Sequence, residues 1–140
     1  MTLYPVSLAL LLAVTGPALA ADRGEAGLAR LLAGRTAGHA EPCLPQVRLR
    51  GSRIIDGTAI VYEAVDRTLW VNRPSAGLRA LDAGKILAVR IPGSRLCRNT
   101  VVRLVDRYAR VEIGQAVLGD FIPYRPSNPA AVAAPKEPRP

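Results

Sequence analysis

From residue 47 onward, apolar and polar positions alternate in short runs. In QVRLR, Val47 and Leu49 alternate with Arg48 and Arg50, which predicts a half-buried strand with a basic outer face. RIIDGTAIVYEAV follows, with Asp56-Gly57 between two apolar runs. That dipeptide predicts a tight hairpin of type I′, because aspartate and glycine both tolerate positive φ. A second reversal at Asp66-Arg67 leads into a strand over 68–72, so three strands form an antiparallel meander. Trp70 takes the opposite face from Leu69 and Val71; its size places it in or beside the core rather than on a binding surface.

The alternation breaks over 73–84. One or two helical turns are expected there, capped by Ser75, with Leu78 and Leu81 on one side and Gly84 at the end. Strand-like runs resume at 86–91, 100–108, 110–113 and 116–122, with Gly114 and Gly119 punctuating the last two. The expected fold is mainly β: a small antiparallel sandwich or partly open barrel of six to seven strands, with a short helical excursion.

The ends of the chain read differently. Residues 1–20, MTLYPVSLALLLAVTGPALA, carry no charged side chain and end in the small residues Ala18 and Ala20, the pattern of a signal peptide cleaved before Ala21. The apolar run is cut by Gly16-Pro17 and is too short to span a membrane, so the mature chain is expected to have no transmembrane helix. An Ala/Gly-rich segment over 21–42 holds a short helix at 25–33, where Leu28, Leu31 and Leu32 make one apolar stripe. The β domain covers 43–125, and the Pro/Ala-rich stretch 126–140 reads as a disordered tail.

Export changes the reading of the two cysteines. Cys97 lies between Arg95 and Arg98, where positive charge would favour a thiolate nucleophile. An exported chain meets an oxidising compartment, however, and Cys43 is its only other cysteine, so a Cys43–Cys97 disulfide is expected. The chain has no Cys-x-x-Cys motif, and its one histidine, His39, lies in the segment before the domain. Redox-exchange chemistry, a catalytic triad and a metal site therefore lack their usual parts, and no metal or other cofactor is expected.

The chain of 140 residues has a net charge of +8, and 17 of its 19 basic residues are arginine. Residues 43–125 hold 14 basic and seven acidic side chains, so the excess belongs to the domain and not to a tail. Arginine grips carboxylates and phosphates in a bidentate way, and Arg48, Arg50, Arg95, Arg98 and Arg103 are the candidate anion-binding residues. A genome rich in G and C produces the same bias without selection for binding. Nucleic acid is not expected as a partner, because export removes it and only five aromatics fall in the domain. Glycine-rich phosphate loops are absent. Asp56, Glu63, Asp66, Asp82, Asp106, Glu112 and Asp120 are numerous enough for a hydrolytic acid/base pair, but Asp56, Asp66 and Asp120 fall in expected turns, where a carboxylate caps backbone N–H groups. No catalytic residue is assigned.

Taken together, C…RIIDGTAIVYE…LWVNRP…G…SRLC…VRLVDR…LGDFIPY resembles a group of small exported bacterial proteins carrying a domain of unknown function. The resemblance runs from about Cys43 to Tyr124 and implies a compact, mostly β domain with a cysteine pair and no catalytic motif. The functional expectation is an exported, periplasmic, non-catalytic binding or envelope-associated module. Its alternatives are an arginine-lined binder of an anionic envelope lipid or glycan, and a hydrolase using an Asp/Glu pair.

Overall fold

In the computed structural model, residues 18–127 are described. Residues 1–17, most of the expected signal peptide, and 128–140, most of the expected tail, lie outside them. Helix α1 (Ala18–Leu32) is followed by ten strands: β1 (Arg35–Ala37), β2 (Cys43–Pro45), β3 (Leu49–Ile55), β4 (Ala59–Ala64), β5 (Leu69–Asn72), β6 (Lys85–Val89), β7 (Arg95–Cys97), β8 (Val101–Asp106), β9 (Glu112–Val117) and β10 (Phe121–Pro126). They form three antiparallel sheets, in the orders β1-β10-β5-β4-β3, β2-β7 and β6-β8-β9, and no barrel closes. No helix among the described residues is long and apolar enough to cross a membrane.

The five-stranded sheet is covered on both faces. On one, Leu28 of α1 packs on Ala59, Val61, Leu69 and Val71. On the other, Ile54, Ile60, Tyr62 and Phe121 meet Leu44 and Leu96 of the two-stranded sheet and Val102, Leu104 and Ala116 of the three-stranded one. Burial on both faces explains the continuous apolar run of β4, where Ala59 to Tyr62 are all buried. Helix α1 comes close at Gly24, where any Cβ would strike the Thr58 side chain and the Asp56 carbonyl. Glu25 accepts two hydrogen bonds from Arg73, at 2.6 and 2.9 Å, which fix the same helix from its solvent side.

The meander stands as expected, with differences of detail. Ile55 pairs with Ala59, and the Thr58 N–H donates to the Ile55 carbonyl at 3.0 Å. Only Gly57 takes a positive φ, of 56°, so the turn is not type I′, which needs two left-handed residues. At the next reversal Arg67 is left-handed and Asp66 accepts the Thr68 N–H at 3.0 Å. Trp70 is partly buried against the larger core, on the face opposite Leu69 and Val71.

Other details differ from the expectation. The strand expected at Val47 is a 3-10 turn over Gln46–Arg48, and Val47 is 84% exposed; Pro45 and the crossing into β3 leave no partner strand there. The helical excursion is one 3-10 turn, Leu78–Ala80, entered from left-handed Gly77, while Ser75 donates to the Val117 carbonyl instead of capping it. The strands expected at 110–113 and 116–122 are β9 and β10, offset in register. Gly114 lies within β9 and packs against Ala80, whose Cβ would be only 3.1 Å from a Cβ there. The chain breaks instead at Gly119, where buried Asn72 donates to the Gly119 carbonyl at 2.7 Å and accepts its N–H at 3.0 Å. Ten strands replace six or seven because β1, β2 and β7 have only three residues each. β1 falls in the segment assigned to 21–42, and β10 runs through Pro126, one residue past the boundary drawn at 125.

Candidate functional site

β3 is an edge strand: its inner side pairs with β4, and nothing pairs its outer side. β6 is the edge of the three-stranded sheet and pairs only with β8. Two cavities join these edges into one seam. The first, about 220 Å³, has Leu49, Arg50, Gly51 and Ser52 of β3 on one wall and Val89, Ile91 and Leu96 on the other, with Tyr62 between. The second, about 320 Å³, sets Ser52, Arg53 and Ile54 against Lys85, Ile86 and Leu87, with Arg107 at its side. Ser52 lines both, and the two strands run antiparallel along the seam.

No carboxylate lines either cavity. Arg50, Arg53 and Arg107 are exposed, and Lys85 is half-buried. A smaller cavity of about 140 Å³ on the α1 side of β3 shares Arg53 and carries Glu63. At the end of the seam Lys85 donates to Asp106 at 2.9 Å, which raises its pKa. Asp106 also accepts the Ala109 and Tyr108 N–H groups, both at 2.9 Å, and these bonds together with Lys85 pull its carboxyl down to about 2.

The direction of that shift has a testable consequence. Unfolded aspartate titrates near ~3.9, so the unfolded chain binds this proton first as pH falls. The stability that Asp106 contributes is complete above about pH 4 and is lost toward about pH 2. Urea unfolding across this window should show a shallower acid limb in Asp106→Asn than in the parent. Parallel limbs would show that this carboxylate is not the source.

The five arginines singled out from sequence are all exposed, but they do not form one site. Arg98 pairs with Asp120 at 3.3 Å and Arg103 with Glu112 at 3.6 Å, so their charges are met on the surface. Arg50 lies in the seam. Arg48 follows β2 in the 3-10 turn, and Arg95 is opposite Pro45 in β7. Lys85, Arg107, Gly51 and Tyr62, absent from that group, line the seam. Gly51 is the signal that could have found it, since it interrupts the alternation between Arg50 and Arg53.

Cys43 and Cys97 are bonded, directly opposite one another in the β2–β7 ladder. Their neighbours Leu44 and Leu96 face the core, which places the bridge on the outer side of the ribbon. The carboxylates are held locally. Asp56 accepts the Ala83 N–H at 2.6 Å and Asp82 the Gly84 N–H at 2.7 Å. Asp66, Asp106 and Asp120 are engaged as described above, Glu112 bonds Gln115 as well as Arg103, and Glu63 is exposed on β4. His39 is exposed beyond β1, and no group of three metal-ligating side chains converges among the described residues.

The class of protein defined so far is a small, mainly β protein with one disulfide. Comparison of the chain with protein-family models, curated proteins and solved structures finds no match, so the function is argued from its own residues.

Proposed function

We propose that the mature chain is an exported, non-catalytic binding module of the periplasm, and that it holds an anionic envelope component in the seam between β3 and β6. The observation that carries this reading is two open strand edges facing one another across a lining that holds Arg50, Arg53 and Arg107 and no carboxylate, with Lys85 already paired to Asp106 at one end. Low-dielectric walls on both sides focus such a field on a bound anion. The uncharged apolar start of the chain and the disulfide support export. A binding role is favoured over hydrolysis because the candidate carboxylates other than Glu63 have local structural partners, and Glu63 has no second carboxylate beside it in the cavity it lines.

Titration with linear polyphosphate tests the reading. Affinity is expected to fall as salt rises, and Arg50→Glu combined with Arg107→Glu should weaken it by about tenfold at low salt. Arg23→Glu with Arg30→Glu, on α1, changes net charge equally and should have a smaller effect. Equal losses in the two variants, or affinity indifferent to salt, would overturn the assignment to the seam.

A further inference from the structure

The seam presents backbone as well as charge. Alternate residues of an edge strand turn N–H and C=O groups away from the partner strand. Among the described residues, positions 50–54 make no backbone hydrogen bond beyond the ladder with β4. Among them is Gly51. Its φ is not positive, and a Cβ built on it meets nothing within 4 Å. A glycine in a strand marks a bulge or a place where another backbone comes close; the register shift between Leu49 and Gly51 accounts for the first, and the open space beside Gly51 leaves room for the second.

Tyr62 adds a second, independent sign. It is 7% exposed, and burial pushes its phenol above the ordinary tyrosine value without any hydrogen bond contributing. Every fully buried side-chain nitrogen or oxygen among the described residues has a partner. No side-chain hydrogen bond of Tyr62 is found among the described residues, and this residue lines the cavity beside Gly51 and Ser52.

On the reading of the seam as an anion site, we propose that its occupant is an extended acidic peptide, which adds as a strand to the outer edge of β3 and places a side chain over the Tyr62 hydroxyl. Only a peptide supplies donors and acceptors at the repeat of a strand edge. Acidic side chains meet Arg50, Arg53 and Arg107, and apolar ones meet Leu49, Val89 and Ile91. A second copy of this chain is selected against, because it would bring the same arginines edge to edge. The bulge between Leu49 and Gly51 ends the regular ladder and confines pairing to the residues after it.

The experiment uses the oxidised mature chain and three probes: a blocked peptide of alternating glutamate and valine, the same peptide methylated at every peptide nitrogen, and linear polyphosphate. The unmodified peptide is expected to bind in a salt-dependent way and to slow hydrogen exchange at amides within 51–54. Methylation, by removing its donors, should weaken binding by about tenfold or more. Equal binding of the methylated peptide, or exchange unchanged by a bound peptide, overturns strand addition and leaves the anion site standing. Binding of polyphosphate without peptide does the same, and failure of every probe overturns both.

Discussion

Replacing Cys43 and Cys97 together by alanine is expected to lower the unfolding free energy by about 4 kcal/mol, and the melting temperature by roughly 10–20 °C. The first figure follows from loop closure, since the bridged cysteines are 54 residues apart and the open chain regains that freedom on unfolding. The local setting works in the same direction. β2 and β7 pair only with each other, over three residue pairs, and a two-stranded ribbon of that length is marginal in water. What else holds it is the burial of Leu44 and Leu96, together with the Gln46 N–H donating to Ser94 and the Arg98 N–H to Pro42. Leu96 and Gln46 also line the seam, so the bridge fixes one of its walls. Denaturant unfolding of the double variant measures the loss; a change below about 1 kcal/mol would mean that the ribbon is held by its leucines alone.

Phe121→Ala is the other large effect, at about 3–5 kcal/mol. Phe121 has no solvent exposure and belongs to the core shared by all three sheets. Its ring meets that of Tyr62 edge-on, with centroids 5.8 Å apart, and its backbone exchanges two hydrogen bonds with Glu41, at 2.8 and 2.9 Å. The void left by the ring cannot collapse easily, because the backbone on both sides is tied by these bonds and by pairing with Asn72. Tyr62 would lose the ring that positions it, so the cavity beside Gly51 should loosen as well. Thermal and urea unfolding of the variant check the magnitude. A loss no greater than that of an exposed apolar residue such as Val47 would show that the core is divided differently.

Local chemistry is legible in the sequence. Asp56-Gly57 and Asp66-Arg67 mark their reversals because turn residues act within four positions of one another. The cysteine pair follows from the expectation of export and from there being only two. Trp70 can be assigned a face from the period of a strand. β1, β2 and β7 are not legible, since three residues carry no period. Gly114 reads as punctuation although it lies inside a strand, because the residue it packs against, Ala80, is 34 positions away and reaches β9 only through the fold. The charges show the same limit most clearly. Arg98 and Arg103 look like Arg50 in the sequence, and only the folded chain reveals that they meet Asp120 and Glu112 while Arg50 faces an open edge. The seam itself depends on which edges of two separately built sheets come to face each other, and no short stretch of sequence encodes that.

The central claim is tested most directly by following backbone amide resonances while the glutamate–valine peptide is added to the oxidised mature chain. The expected result is a set of shifts concentrated at 50–54 and 85–91, weakening as salt rises. Shifts spread over α1 and the outer face of β9, with the two edges silent, would contradict it.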